Sequence, residues 1–176
     1  MSDSPFVGPR PFEKEDSDRF YGRTRETEEL LSLIIAHRAV LVYAQSGAGK
    51  SSLLRAGVMK RLEEQQYQVL RTARVHGLLP KDVPPESVQN IFVYHALQYW
   101  ASSLPDSQSI KDHAKTTLAE FLKPLVAAPA ADEETSPPLI LILDQFEEFF
   151  TTNQHRWPER RPFFEQLAQA CTTCQQ

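Results

Sequence analysis

Cysteine is almost missing from this chain: only Cys171 and Cys174 occur in 176 residues. A zinc site needs four ligands, and no second C-x-x-C pair is present. A thioredoxin-like pair belongs at a helix start beside a strand, so these two read as reduced thiols on a helix end. Long apolar runs are missing as well, and nothing approaches the roughly 18 residues of a membrane span. The opening "MSDSPFVGPRPFEKED" lacks the basic-then-apolar order of a signal peptide. Nor is there an excess of positive charge. Nineteen Lys and Arg stand against 23 Asp and Glu, for a net charge of −4, which argues against a constitutive nucleic-acid binder, since such proteins usually carry a basic face. The chain therefore reads as cytoplasmic, with neither membrane nor nucleic acid as a standing partner. No internal repeat is visible, and no N-K-x-D tetrad of the kind that reads guanine.

Hydrophobic residues make up 41% of the chain, enough for a core, and the length suits one domain. A mixed, proline-bearing arm opens it. Residues 22–38 predict a helix with Thr24 as N-cap, glutamates in its first turn, and Leu30, Leu31, Ile34 and Ile35 on one face. "RAVLVY" (38–43) is short, apolar and β-branched, which predicts a strand buried on both faces. Residues 51–66 predict a helix, with Leu54, Val58 and Leu62 at i, i+4 and i+8; 67–75 predict a second strand. Helices are predicted at 88–103 and 111–126, a polar loop at 128–138, a strand at 139–144 and a last helix over "RRPFFEQLAQACTT". This order implies an α/β domain with a parallel sheet.

Between the first strand and its helix lies Ala44, Gln45, Ser46, Gly47, Ala48, Gly49, Lys50, Ser51. The P-loop pattern is G-x-x-x-x-G-K-[ST]. Small residues let backbone N–H groups converge on phosphates, and the following helix adds its N-terminal dipole. Lys50 supplies a mobile cation, the Ser51 hydroxyl can ligate Mg²⁺, and Ser52 follows in the same turn. Alanine replaces the first glycine, the least damaging change there provided the backbone needs no positive φ.

A nucleotide-hydrolysing loop needs an acid on a neighbouring strand for the Mg²⁺ shell. Five apolar residues, Leu139–Leu143, end in Asp144, a Walker B strand by type and position. Gln145 stands where many related ATPases carry the water-activating glutamate. If a helix follows, Glu147 and Glu148 return to the side of Asp144, and either could orient water against a γ-phosphate. The alternative for each is a solvated acid at a helix start. Arg71 and Arg74 read as surface ion-pair residues.

Together "PFVGPRPFEKEDSDRFYGRTRETEELL", "QSGAGKSSLLRAG" and "LILILDQFEEFF" resemble, in this order, the novel-STAND branch of the signal-transduction P-loop NTPases, over residues 5–150. The resemblance implies a three-layer P-loop NTPase with a parallel sheet of the additional-strand class. It implies ATP and Mg²⁺ as ligands, and a switch that couples an oligomerising core to sensor repeats and an effector, with roles in signalling or antiviral defence. Phe20, Gly22 and Arg23 of "FYGR" resemble the segment over the adenine; a hydrophobic staple and N-cap is the local alternative, and both can hold at once. Gly47, Gly49, Lys50, Ser51 and Ser52 match the family's phosphate loop, Asp144 its Mg²⁺ aspartate, and Glu147 and Glu148 its acidic pair.

The expectation is an ATP-binding, slowly hydrolysing switch whose Mg-ATP state controls self-association through the NTPase module, with sensor ligand and effector unnamed by the sequence. The rival is a nucleotide-loaded scaffold with no significant hydrolysis. A small phosphotransferase would need an arginine-bearing lid and an acceptor pocket, and neither is found. The resembled class places a further strand, carrying a polar sensor residue, between the phosphate-loop and Walker B strands but later in sequence. The organisation is therefore expected to be an arm and adenine-side segment at 1–23 and an NTPase core at 24–176 that stops before that strand, the N-terminal part of a longer switch with weak ATPase activity by itself.

Overall fold

A computed structural model of the chain describes residues 8, 10–104, 113–126 and 137–173. The sequence readings for the start of the arm, residues 111–112, the loop 128–136 and Cys174 lie outside the described residues. The chain divides into two compact units, Met1–Val69 and Leu70–Gln176.

The first unit carries a 3₁₀ turn (Lys14–Arg19), α1 (Thr24–Ala36), α2 (Lys50–Ser52), a π-helical stretch (Leu53–Met59), α3 (Lys60–Glu64) and β1 (Gln68–Val69). Helix α1 starts with Thr24 as its first helical residue rather than as its cap; Arg23 holds the cap position and makes no side-chain capping bond. Thr27, Leu30 and Leu31 form its buried stripe. The π-helical stretch is the centre of the unit: the 3₁₀ turn, α1, α2 and α3 all pack on it. Gly57 permits that approach, since a Cβ there would lie 2.8 Å from Thr27 Oγ1 and 3.3 Å from the Phe20 ring.

The strand expected at 38–43 is not formed. Among the described residues the sheet has two strands, and neither lies there. Leu41 is 79% exposed and Tyr43 86% exposed. A strand buried on both faces takes its hydrogen bonds and its cover from neighbours; among the described residues this segment pairs with no strand and only Val40 and Val42 are half-buried, so apolar β-branched composition alone does not make it a strand.

In the second unit the chain running on from β1 pairs in parallel with the segment that begins at β2 (Leu139–Ile140). The Leu70 N–H donates to Ile140 O at 3.2 Å, Ala73 N–H to Ile142 O at 2.8 Å, and Asp144 N–H to Ala73 O at 2.9 Å. Ala73 and Leu143 form a parallel bridge. The strands read at 67–75 and 139–144 are therefore present in shortened form, and the described fold is mixed α/β with a small parallel sheet.

Helices α4 (Ile91–Ala101), α5 (Leu118–Leu122), α6 (Glu148–Thr151) and α7 (Arg160–Thr173) complete the unit. The predicted 88–103 helix is α4, the 111–126 helix shrinks to α5, and α7 covers the residues read for it. Asn90 caps α4, its Oδ1 accepting from the Phe92 and Val93 N–H groups at 3.1 Å each. Phe92, Tyr94, Leu97 and Trp100 are fully buried, with Phe149 and Phe163 in the same core.

His95 is buried in that core, and its Nδ1 has no hydrogen-bond partner. Burial pushes its imidazole down to about 4, with His76 adding to the shift and Gln98 opposing it. The unfolded chain, with an ordinary histidine, then binds more protons than the folded one between those pKa values. Stability is complete above the unfolded value and is lost as pH falls. Urea unfolding is expected to lose about 2 kcal/mol between about pH 7 and about pH 5 from this residue, and His95→Gln is expected to remove most of that loss. Equal pH dependence in the two proteins would contradict this.

Candidate functional site

The turn between 38–43 and α2 has the backbone that its glycines allow. Gly47 has φ +79° and Gly49 φ +82°, the left-handed region where a side chain is strained. Among the described residues, positive φ outside glycine occurs only at Gln66, Gln145 and Asn153. Ala44 therefore meets the condition set for it. The Ala48 N–H closes the turn on Gln45 O at 3.2 Å.

Lys50 folds back over this turn. Its ammonium donates to Ala44 O at 2.8 Å and Gln45 O at 3.3 Å. An ammonium has three donors, so one remains for a ligand oxygen. Gly49 sits at the N-cap of α2, and Ser51 and Ser52 lie in its first turn. The helix from Lys50 thus opens directly from the loop, with its free N–H groups at that end.

The "FYGR" residues divide. The Phe20 ring turns inward, edge-on to Phe12 at 5.4 Å and against Gly57. Tyr21 is exposed, and Gly22 makes a left-handed step at φ +79°. Arg23 then reaches the loop, its Nη2 donating to Ala48 O at 3.1 Å. Phe20 packs on Phe12 and Gly57, and with Arg23 at the N-cap the staple positions fall on Gly22 and Thr27; Arg23 is brought to the loop residues. Ser52 Oγ accepts from the Phe12 N–H at 3.1 Å, a contact that no sequence motif announced.

The acidic segment belongs to the second unit. Asp144 is 5% exposed, and its Oδ1 accepts from the Gln145 N–H at 2.9 Å. Gln145 is left-handed at φ +53°, so the chain breaks direction before α6. Glu147 is exposed and caps α6, and Glu148 is its first residue, with Oε2 buried and without a hydrogen-bond partner. A helix does follow the strand, but it begins at Glu148 after a turn and not directly at Asp144.

Oxygen donors of the serine and carboxylate type suit Mg²⁺, which keeps waters and takes much of its shell from substrate phosphates. Among the described residues, no group of three or more His, Cys, Asp or Glu could hold a metal by itself. Among the described residues, no helix is long and apolar enough to cross a membrane.

A protein-family model described as Novel STAND NTPase 1 matches residues 5–176. No curated protein and no solved structure matches the chain.

Proposed function

The chain belongs to the Novel STAND NTPase 1 family, and from that premise we propose that it binds ATP with Mg²⁺ and hydrolyses it slowly, as a molecular switch whose nucleotide state governs self-association in signalling or antiviral defence. The observation that carries the reading is the loop itself: left-handed Gly47 and Gly49, with the Lys50 ammonium folded over them at the mouth of α2. Residues 46–52 bind the phosphates, Arg23 assists at the loop, and Phe20 and Gly22 shape the adenine side. Ser51 and Asp144 serve the metal, and Glu147 and Glu148 are the candidates for orienting water. The parent architecture is a three-layer P-loop fold, with the arm and adenine-side segment at 1–23 and the core at 24–176. The bound metal supplies charge neutralisation at the phosphates.

The role of Asp144 gives the test. Asp144→Asn is expected to weaken ATP binding roughly tenfold or more in Mg²⁺ and to change it little in EDTA, because its contribution runs through the ion's water shell. Calorimetry under both conditions decides, and equal losses would make Asp144 a structural residue only.

One observation favours the non-hydrolysing scaffold as a second reading. Gln145 stands directly after Asp144 in a left-handed conformation, and Glu147 is exposed. A turnover assay with Glu147→Gln and Glu148→Gln separates the two. The switch expects one variant to lose turnover with binding kept. The scaffold expects none to turn over.

A further inference from the structure

The segment before α1 is tied down by more than an extended arm requires. Asp16 is buried, and its carboxylate accepts from both Arg10 terminal nitrogens at 2.5 and 3.0 Å, from Arg19 Nη2 at 2.8 Å and from the Glu13 N–H at 2.9 Å. The hydrogen bond from Arg10, with the Glu13 N–H, holds its carboxyl well below the usual carboxylate range. Around this hub the arm reaches across to the helical run that leaves the loop. Glu13 pairs with Arg55 at 2.7 Å, Asp18 with Lys60 at 2.7 Å, and Lys14 with Glu63. These pairs are partly exposed, and each is weak alone. They all join the arm to one helical run, however: Arg55 lies within the π-helical stretch Leu53–Met59, and Lys60 and Glu63 lie in the α3 turns that follow it, and π-helical turns occur frequently at functional sites.

The end of this framework lies on Ser52. A serine hydroxyl has one proton and two acceptor lone pairs. The Phe12 N–H takes one lone pair at 3.1 Å, and the hydroxyl proton is left to donate. Ser52 is thereby presented as an oriented donor in the first turn after the loop, and a phosphate oxygen is the acceptor that such a donor fits.

We infer that residues 10–20 are a positioning element for the phosphate loop: through the Phe12 N–H they orient the Ser52 hydroxyl toward a phosphate oxygen of the nucleotide, so that arm docking and nucleotide binding form one linked equilibrium. This rests on the nucleotide-binding reading above. Linkage is reciprocal, so nucleotide holds the arm down by the same factor by which the arm tightens nucleotide.

The test is a double-mutant cycle on the whole chain, read by ATP·Mg²⁺ calorimetry and by amide exchange at Phe12. Asp16→Asn and Ser52→Ala are each expected to weaken ATP roughly five- to tenfold. The double variant is expected to be no weaker than about the worse single one, as residues acting through one contact behave. ATP is expected to slow Phe12 exchange in the wild type and not in Ser52→Ala. Losses that multiply, or full ATP protection of Phe12 in Ser52→Ala, overturn the inference. If Asp16→Asn does not fold, the exchange result with Ser52→Ala decides by itself. A wild type that binds no nucleotide sinks this inference and the proposed function together. Normal wild-type binding with unaltered single variants sinks this inference alone.

Discussion

Lys50→Ala is expected to weaken ATP·Mg²⁺ binding roughly a hundredfold or more while leaving the thermal unfolding of the chain nearly unchanged. The two halves of that expectation have different causes. The ammonium rests on the Ala44 and Gln45 carbonyls, both on an exposed turn, so water replaces it there at little cost. Against a triphosphate the same ammonium makes charge-assisted contacts inside the loop, where each is worth about twice a neutral one. Calorimetry with the wild type and the variant measures the affinity, and a melting curve of each measures the fold. Equal affinities would remove the loop from the account, and a collapsed melting curve would make Lys50 structural.

Phe149→Ala is expected to destabilise the second unit by about 3–5 kcal/mol. Its ring is fully buried and stands 4.5 Å from Phe92, 5.1 Å from Phe146 and 5.2 Å from Phe163. The Arg160 guanidinium lies 5.3 Å from its centroid. Truncation therefore removes a large apolar side chain, several ring pairs and a cation–π contact, and leaves a cavity walled by rings that cannot all collapse into it. Phe150→Ala is the control one residue along. Phe150 is 55% exposed, and its loss is expected to remain under about 1.5 kcal/mol. Urea unfolding followed by fluorescence, with Trp100 buried in the same core, gives both numbers. Similar losses at the two positions would contradict the packing described here.

The contrast between 149 and 150 shows what the sequence could and could not disclose. "LILILDQFEEFF" announced a buried strand ending in an acid, and Asp144 is buried at the end of the paired segment. Nothing local separates the two phenylalanines, because helix α6 is only Glu148–Thr151 and offers no period to count. The left-handed Gln145 was also hidden: a glutamine carries no preference for positive φ. The last helix was legible as a helix over that stretch, and α7 occupies Arg160–Thr173 among the described residues.

In the first unit the backbone of the glycine turn was legible from its residues. Phosphate loops depend on residue types at fixed local spacing, and the two glycines take the left-handed backbone that only glycine adopts freely. The segment 38–43 failed in the opposite way. Its composition is that of a buried strand, but pairing is a property of neighbours, and Leu41 and Tyr43 face solvent. The arm was read as merely extended because its order comes from partners far along the chain. Glu13 and Arg55 are 42 residues apart, and no window contains both. The one local signal was the Arg10, Asp16 and Arg19 cluster, whose charges alternate closely enough to have suggested a carboxylate held by two guanidinium groups.

The central claim is that this chain holds an adenine nucleotide on the loop of Gly47, Gly49 and Lys50. Its most direct test is to purify the chain, add Mg²⁺ with ATP and GTP in equal amounts, remove the free ligand, and identify by chromatography what the denatured protein releases. ATP or ADP is expected, near one per chain, and none from Lys50→Ala. Release of no nucleotide, or of guanine nucleotide in preference, would contradict it.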